Sequence, residues 1–221
     1  MLSINTIVVP QGAEYQAVCR GLRKAKVNDV EVIAIPIGAR FADRILLDHG
    51  DQLNSLSPVL IIGLCGALGS YSIGDAVLVT DCKDREQNQV NLNQELTVQI
   101  QQKLAIETVT ALTSDRLITQ ASTKMALAQK YQASIVEMEG YCYVNKLQQQ
   151  EVSVAMLRVV SDDAHGDIPD LNQAIDESGN LQTLPMAIAL LRQPFAAVRL
   201  IKGSLTGLKA LEQITRKLFA S

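Results

Sequence analysis

Acidic side chains occur at three points of this sequence where an apolar segment ends or is about to give way to a helix. Glu14 follows the apolar segment Ile4–Pro10, Glu137 and Glu139 flank a methionine in VEMEG, and Asp162 follows SVAMLRVVS. An acid at the end of a buried strand is a suitable general acid, because burial raises the pKa of a carboxyl group. In an extended segment, the two-residue spacing of the VEMEG acids directs both carboxyl groups to one side. The pattern indicates carboxylate chemistry.

Each of these positions also has an explanation that needs no ligand. Glu14 would be an ordinary acid in the first turn of a helix, where the helix dipole favours a negative charge. The VEMEG acids would begin a solvated helix with Met138 in the core, and Asp162 with Asp163 would cap a helix. Sequence position alone leaves both explanations open.

Glycines punctuate the stretch GLCGALG, residues 63–69. They would let backbone N–H groups approach a ligand near Cys65 and Gly66. No G-K-[ST] follows, so the stretch is not a P-loop, and it does not match G-x-G-x-x-G convincingly. A tight turn without a ligand is an equally good interpretation.

Other catalytic chemistries are poorly represented. The chain has only two histidines, His49 and His165, and its four cysteines form no C-x-x-C pair, so a metal site is not expected. Free thiols are the better interpretation of the cysteines. There is no Ser-His-Asp arrangement, and neither histidine nor cysteine recurs near the acids.

Composition narrows the class of protein. The 221 residues are 48% hydrophobic with a formal net charge of −3, which excludes global disorder and disfavours nucleic-acid binding. The N-terminus lacks a basic region, and the longest apolar runs are too short for a membrane span. We expect a cytoplasmic protein without a membrane span.

Short apolar strands alternate with helices along the chain. The predicted strands cover residues 4–10, 31–37, 58–64, 75–80, 108–113 and 153–160, and the predicted helices cover residues 13–26, 40–56, 92–104, 123–132, 139–149, 184–192 and 205–219. Continuous apolar strands indicate a sheet covered on both faces. We expect an α/β fold, with residues 1–221 in a single domain and the polar residues 83–102 as a solvated excursion.

Four segments resemble the purine nucleoside phosphorylase / methylthioadenosine–adenosylhomocysteine nucleosidase superfamily. In chain order they are GLCGALG…IGDAVLV, the turn Thr113-Ser114-Asp115, SIVEMEGYCYV and LRVVSDDA. M-E followed by a strand and S-D is the most specific signature, and the similarity covers most of residues 4–163. GAEYQAV and SDDAHGDIP are most similar to the bacterial branch that includes hopanoid-associated nucleoside phosphorylases. The resemblance implies a mixed central sheet flanked by helices.

The resemblance implies roles for the acids. Asp162, oriented by Ser161, would protonate the purine at N7 while the N-glycosidic bond breaks. Glu139 would hold the ribose hydroxyls, Met138 would line the sugar, and Glu14 would help to position an attacking water. One protonated acid and one ionised carboxylate suit an oxocarbenium-like transition state.

Further substrate contacts are expected around these acids. Leu117 and Ile118 correspond to the segment that stacks on the base, although the aromatic residue of the family is missing. We add Glu137, Cys65 and Gly66 to the expected substrate-binding residues.

Phosphate use is disfavoured by two positions. Where phosphorylases of the family supply an arginine and a serine, this chain has Ile61 and Leu64, and apolar side chains cannot offset the desolvation of a phosphate dianion. We therefore expect cofactor-free hydrolysis of an adenosine-type nucleoside. Phosphorolysis of a 5′-substituted adenosine such as an adenosylhopane stays open. A catalytically silent nucleoside-binding protein also stays open. The missing base-stacking aromatic residue favours it, and the presence of Asp162 and Glu139 opposes it.

A homo-oligomer is expected, most simply a homodimer. The resemblance implies dimers, trimers or hexamers, and the apolar stretches Cys65–Tyr71 and Tyr141–Val144 exceed what the flanks of one sheet need. Exposed apolar surface of this kind usually marks an interface.

Overall fold

A computed structural model describes residues 4–50, 53 and 58–220, in which eight strands and seven α-helices are found. The strands are β1 (Thr6–Pro10), β2 (Glu31–Ile35), β3 (Val59–Ala67), β4 (Ala76–Lys83), β5 (Gln89–Asn91), β6 (Glu107–Thr113), β7 (Ile135–Glu137) and β8 (Val154–Asp162). The helices are α1 (Ala13–Ala25), α2 (Ala42–His49), α3 (Gln94–Leu104), α4 (Ala121–Tyr131), α5 (Gly140–Gln148), α6 (Thr183–Arg192) and α7 (Pro194–Phe219).

Five of the strands form a closed ring. β3 pairs with β7, β7 with β6, β6 with β4, β4 with β8, and β8 returns to β3. β1 and β2 extend the sheet beyond β3, and β5 extends it beyond β4. Parallel and antiparallel pairs coexist, which confirms the predicted α/β fold with a mixed central sheet.

Helices cover the sheet on both faces, because the strands are apolar on both sides. One core cluster joins the sheet to α2 and α5 through residues such as Ile45 and Tyr143. A second joins the opposite face to α1, α3 and α7 through residues such as Val18, Ile100 and Leu211. A smaller cluster holds α4 through Leu127. No helix among the described residues is long and apolar enough to cross a bilayer.

The glycine stretch differs from the predicted turn, because β3 continues through it to Ala67. The register of β3 against β8 shifts between Cys65 and Gly66, a bulge that fits a strand able to pair with β7 as well. Gly63 and Gly66 therefore lie within a strand and let neighbouring side chains approach its backbone closely.

Three helical and polar regions also differ from expectation. α7 begins at Pro194, eleven residues before the predicted start at Leu205, because proline suits the first helical position. The expected excursion at residues 83–102 contains β5 and most of α3. The predicted helix 40–56 is a 3₁₀ turn followed by α2, and its residues 51–52 and 54–56 lie outside the described ones.

The apolar stretches expected at an oligomer interface mostly pack inward. Cys65, Ala67 and Leu68 are buried, and Tyr143 and Val144 belong to the core beneath α5. These stretches therefore do not form the exposed apolar surface that was expected of them, and the oligomeric state stays a prediction. The large exposed apolar side chains concentrate instead between Leu181 and Leu205.

Candidate active site

A cavity of about 210 Å³ opens where the ends of β1, β3, β7 and β8 converge. The structure brings every predicted site residue to its wall: Glu14, Cys65, Gly66, Leu117, Ile118, Glu137, Met138, Glu139, Ser161 and Asp162. Four carboxyl groups thus surround one small volume. Arg116 is the only cationic side chain among the described residues that line it.

Glu14 reaches the cavity from the first turn of α1. Its Oε2 atom accepts a hydrogen bond from the backbone N–H of Leu64 at 2.6 Å. A Cβ atom on Gly63 would lie 2.7 Å from this oxygen and 2.5 Å from Nη1 of Arg158, so only glycine leaves room for both groups. Burial raises the pKa of Glu14 to about 6, against the opposing effect of the Leu64 N–H and Arg158.

Glu137 is held by protein groups rather than left open to a ligand. Its side chain and that of Arg158 are fully buried and form an ion pair, with 2.5 Å between Nη2 and Oε2. The hydroxyl of Thr113 and the backbone N–H groups of Glu139 and Gly140 also donate to its carboxylate. Glu137 thus anchors Arg158 and the start of α5, and its role as a substrate contact stays a prediction.

Glu139 lies at the N-terminus of α5 and faces the same guanidinium. Its Oε1 atom accepts from the backbone N–H of Gly38 at 3.0 Å, and Oε2 lies 3.7 Å from Nη2 of Arg158. Burial raises its pKa to about 7, and the neighbouring Glu137 and Glu14 add to the shift while Arg158 opposes it. Glu139 and Glu14 are thus carboxyl groups that change charge near neutral pH.

Asp162 forms a buried ion pair with Lys124 on the other wall of the cavity. Lys124 is fully buried on α4, and its ammonium group also donates to the backbone carbonyl of Asp163 at 2.8 Å. Burial raises the pKa of Asp162, and the lysine charge opposes that rise. Lys124 was not predicted as a site residue, although its spacing from Leu127 and Tyr131 puts it on the buried face of α4.

Ser161 and Gly66 shape the surroundings of Asp162. The Ser161 hydroxyl lies 3.4 Å from Oδ1 of Asp162 and 3.3 Å from the carbonyl oxygen of Cys65. A Cβ atom on Gly66 would lie 3.0 Å from Oδ2 of Asp162, so the glycine lets the carboxyl group approach the strand. Ser161 is therefore near enough to orient the acid.

The remaining walls are apolar. Leu117, Ile118 and Met138 line the cavity, and Asn172 holds the backbone N–H and carbonyl of Leu117 at 2.7 and 3.1 Å. Leu64 also lines it, but Ile61 is fully buried in the core, so the expectation that Ile61 faces the phosphate position was wrong.

A comparison with protein families shows which family this chain belongs to. The sequence profile of the phosphorylase superfamily matches residues 36–192, more than half of the chain. The chain belongs to the phosphorylase superfamily. This confirms the resemblance drawn from the sequence motifs and supports the expectation of an enzyme that cleaves glycosidic bonds.

Solved structures show how widely the phosphorylase superfamily fold is shared. The 5′-methylthioadenosine nucleosidase of Arabidopsis thaliana is similar with a TM-score of 0.69 and 14% identity, over 98% of this chain and 94% of that one. The futalosine hydrolase of Helicobacter pylori is similar with a TM-score of 0.64 and 17% identity, over 97% of both chains. The 5′-methylthioadenosine/S-adenosyl homocysteine nucleosidase of the same organism is similar with a TM-score of 0.64 and 17% identity, over 96% of this chain and 97% of that one. No curated protein matches the chain.

The raised pKa values of Glu14 and Glu139 predict how stability depends on pH in this member of the phosphorylase superfamily. Between about pH 4.5 and 7 the folded state holds protons that the unfolded state has released, so the free energy of unfolding falls as the pH rises. The expected fall is about 2 kcal/mol for one group of this kind. Urea denaturation at about pH 5 and pH 7.5 measures it.

The matched control for this experiment is an exposed acid. Glu139→Gln should reduce the dependence on pH to the part that Glu14 contributes, whereas Glu31→Gln, on the exposed edge of β2, should leave the dependence unchanged. Identical pH profiles for the unaltered protein and Glu139→Gln would show that Glu139 does not titrate in this range.

Proposed function

We propose that this chain hydrolyses the N-glycosidic bond of a purine nucleoside of adenosine type. The observation that carries the proposal is the division of the cavity into two acidic walls. Asp162 with Lys124 forms one wall, and Glu14 and Glu139, which share Arg158, form the other. Such a division supplies both a proton and a negative charge to one bond.

Asp162 is the proposed general acid. A purine leaves as a neutral base only if a proton reaches it, and Asp162 lies on the cavity wall whereas its partner Lys124 is enclosed behind it. Burial raises the pKa of Asp162, which favours the protonated carboxyl group that the step needs. Its O–H proton passes to the departing base, and the carboxylate that is left is paired with the ammonium group of Lys124. We assign Lys124 as a positioning residue for this proton.

Glu139 and Glu14 are proposed to serve the sugar and the water. A cationic, oxocarbenium-like sugar is stabilised by a nearby carboxylate, and Glu139 is the acid assigned to the ribose hydroxyls. With a pKa near 6, Glu14 is ionised at neutral pH and is a suitable general base for a water molecule. The buried Nη1 group of Arg158, which has no hydrogen-bond partner in the described residues, lies beside it.

The charge of the cavity favours water over phosphate as the attacking group. Arg158 and Lys124 are both neutralised by acids, so Arg116 alone would face a phosphate dianion among four carboxyl groups. Anion sites need several convergent donors, and an approach past carboxylates is repulsive. A 5′-methylthioadenosine nucleosidase and a futalosine hydrolase share the fold, which supports hydrolysis as the proposed reaction.

Phosphate is therefore expected to leave the rate of adenine release unchanged within about twofold, because the site lacks the donors that hold an oxyanion. The assay compares adenine release from adenosine derivatives with and without millimolar phosphate and identifies the sugar product by mass. Free sugar is the expected product. Arg116→Gln serves as the matched variant, since removing the one cation found among the described lining residues should not create a phosphate effect.

Two outcomes would assign a different function. A sugar 1-phosphate product, or a rate that depends strongly on phosphate, would make the chain a phosphorylase. Nucleoside binding by calorimetry without release of base from any adenosine derivative would make it a silent binding protein.

A further inference from the structure

Exposed apolar side chains run along α6 and the first half of α7. Leu184 and Leu191 on α6 are 72% and 81% exposed, and Phe195 at the start of α7 is 93% exposed. Their spacing, and that of the α7 residues that follow, keeps them on one face of each helix. We call the set the apolar stripe: Leu184, Leu191, Phe195, Val198, Ile201 and Leu205.

Tight packing of the opposite face keeps the stripe turned outward. Gly203 and Gly207 of α7 lie against the backbone of Ser161, and a Cβ atom on Gly207 would be 3.2 Å from the Ser161 Cβ. Arg199 forms an ion pair with Asp163, directly after the general acid. The helix cannot rotate to bury the stripe without breaking these contacts at the site.

The stripe lies in a strongly basic part of an acidic protein. Residues 183–219 contain six basic residues and one acid, Glu212, whereas the whole chain has a net charge of −3. Glu212 is already paired with Arg20 and Lys24 of α1. Lys202 and Lys209 are exposed on the stripe side of α7 and keep an uncompensated positive charge there.

A second copy of the chain is a poor occupant for this surface. In a two-fold symmetric interface the stripe of one copy would meet the stripe of the other, so two surfaces that both carry Lys202 and Lys209 would be brought together. Like charges placed together oppose association. The stripe fits a partner that is apolar at depth and negative at its surface.

We propose that the apolar stripe binds the surface of an anionic lipid bilayer. A helix with a wide apolar face and flanking lysines lies in the plane of the interface, with its apolar side chains among the acyl chains and its cations at the headgroups. Leu181 is both exposed and part of the cavity wall, and Leu200 lines the cavity beside Ile201. Binding would therefore bring the mouth of the cavity to the lipid surface.

Co-sedimentation of the full chain with lipid vesicles tests the proposal. The protein should sediment with vesicles of phosphatidylcholine and phosphatidylglycerol and remain in solution with phosphatidylcholine alone or at high salt. Leu191→Ser with Phe195→Ser should weaken binding at least about tenfold, since each substitution removes an apolar side chain that would be buried in the bilayer. Lys202→Gln should weaken it by about fivefold, in line with the effect of one charge near an anionic surface.

The control variant replaces two exposed apolar side chains that lie outside the apolar stripe. Val98 on α3 and Met125 on α4 are also exposed, so Val98→Ser with Met125→Ser should bind vesicles as the unaltered protein does. Circular dichroism checks that each variant is folded. Absence of vesicle binding, or equal loss in both double variants, would overturn the proposal. So would light scattering showing a dimer that Leu191→Ser with Phe195→Ser converts to monomers, because the stripe would then bind a second copy.

Discussion

Asp162→Asn is expected to release adenine about 10²–10⁴-fold more slowly than the unaltered protein, the usual contribution of a general acid. The amide keeps the size of the side chain and cannot donate the proton that the departing purine needs. A steady-state assay on an adenosine-type nucleoside measures the effect. Nucleoside binding by calorimetry should persist, since Glu139 and the apolar walls are unchanged.

Folding must be separated from chemistry in this experiment, because Asp162→Asn leaves the ammonium of Lys124 buried without its partner. Asp162→Asn combined with Lys124→Met removes both charges and should recover stability without recovering activity. Asp115→Asn, whose side chain is 80% exposed outside the cavity, is the matched control and should keep the full rate. A folded Asp162→Asn variant with the unaltered rate would remove Asp162 from the mechanism.

Arg158→Met is expected to lower the free energy of unfolding by about 3–5 kcal/mol, the cost of leaving one member of a buried ion pair alone. Arg158 is fully enclosed and is the only cation beside the carboxyl groups of Glu137 and Glu139 in the described part of the chain. Methionine fills a similar volume, so the loss reports the uncompensated charge. Urea denaturation at neutral pH measures it.

A double variant tests the cause of that loss. Arg158→Met with Glu137→Gln removes the charge on both partners, so most of the lost stability should return. Arg23→Met, on the exposed side of α1, should change stability by less than about 0.5 kcal/mol. A loss of similar size in the double variant would attribute the effect to packing rather than to the charge of Glu137.

The acids of the site could be predicted because their positions are local properties of the sequence. Asp162 and Glu139 stand where apolar strands end, and strand ends meet at one edge of a sheet. Lys124 could not be found in this way, because its partner Asp162 is distant in sequence and a lysine in a helix is usually exposed. Only its position on the buried face of α4 carried a signal.

The predicted turn at the glycine stretch and the missed first half of α7 also depend on residues that are distant in sequence. Gly63 and Gly66 predict a turn by their conformational freedom, but here they leave space for Arg158, Glu14 and Asp162 within a strand. The first half of α7 was missed because Gly203 weakens helix propensity there, whereas in the structure this glycine allows close packing on the backbone of Ser161. Propensity describes one residue at a time and cannot anticipate which neighbours tertiary structure brings against it.

The ring of strands has a consequence for how the chain is made. β3 and β4 leave the ribosome long before β8, the strand that pairs with both, so their edges must wait for the C-terminal half of the chain. Pairing over such sequence separations is slow, because the entropy of closing the loop precedes the gain. β8 also carries Arg158 and Asp162. The nascent chain therefore acquires the proposed general acid and the closure of its central ring in the same event, and partial synthesis yields neither.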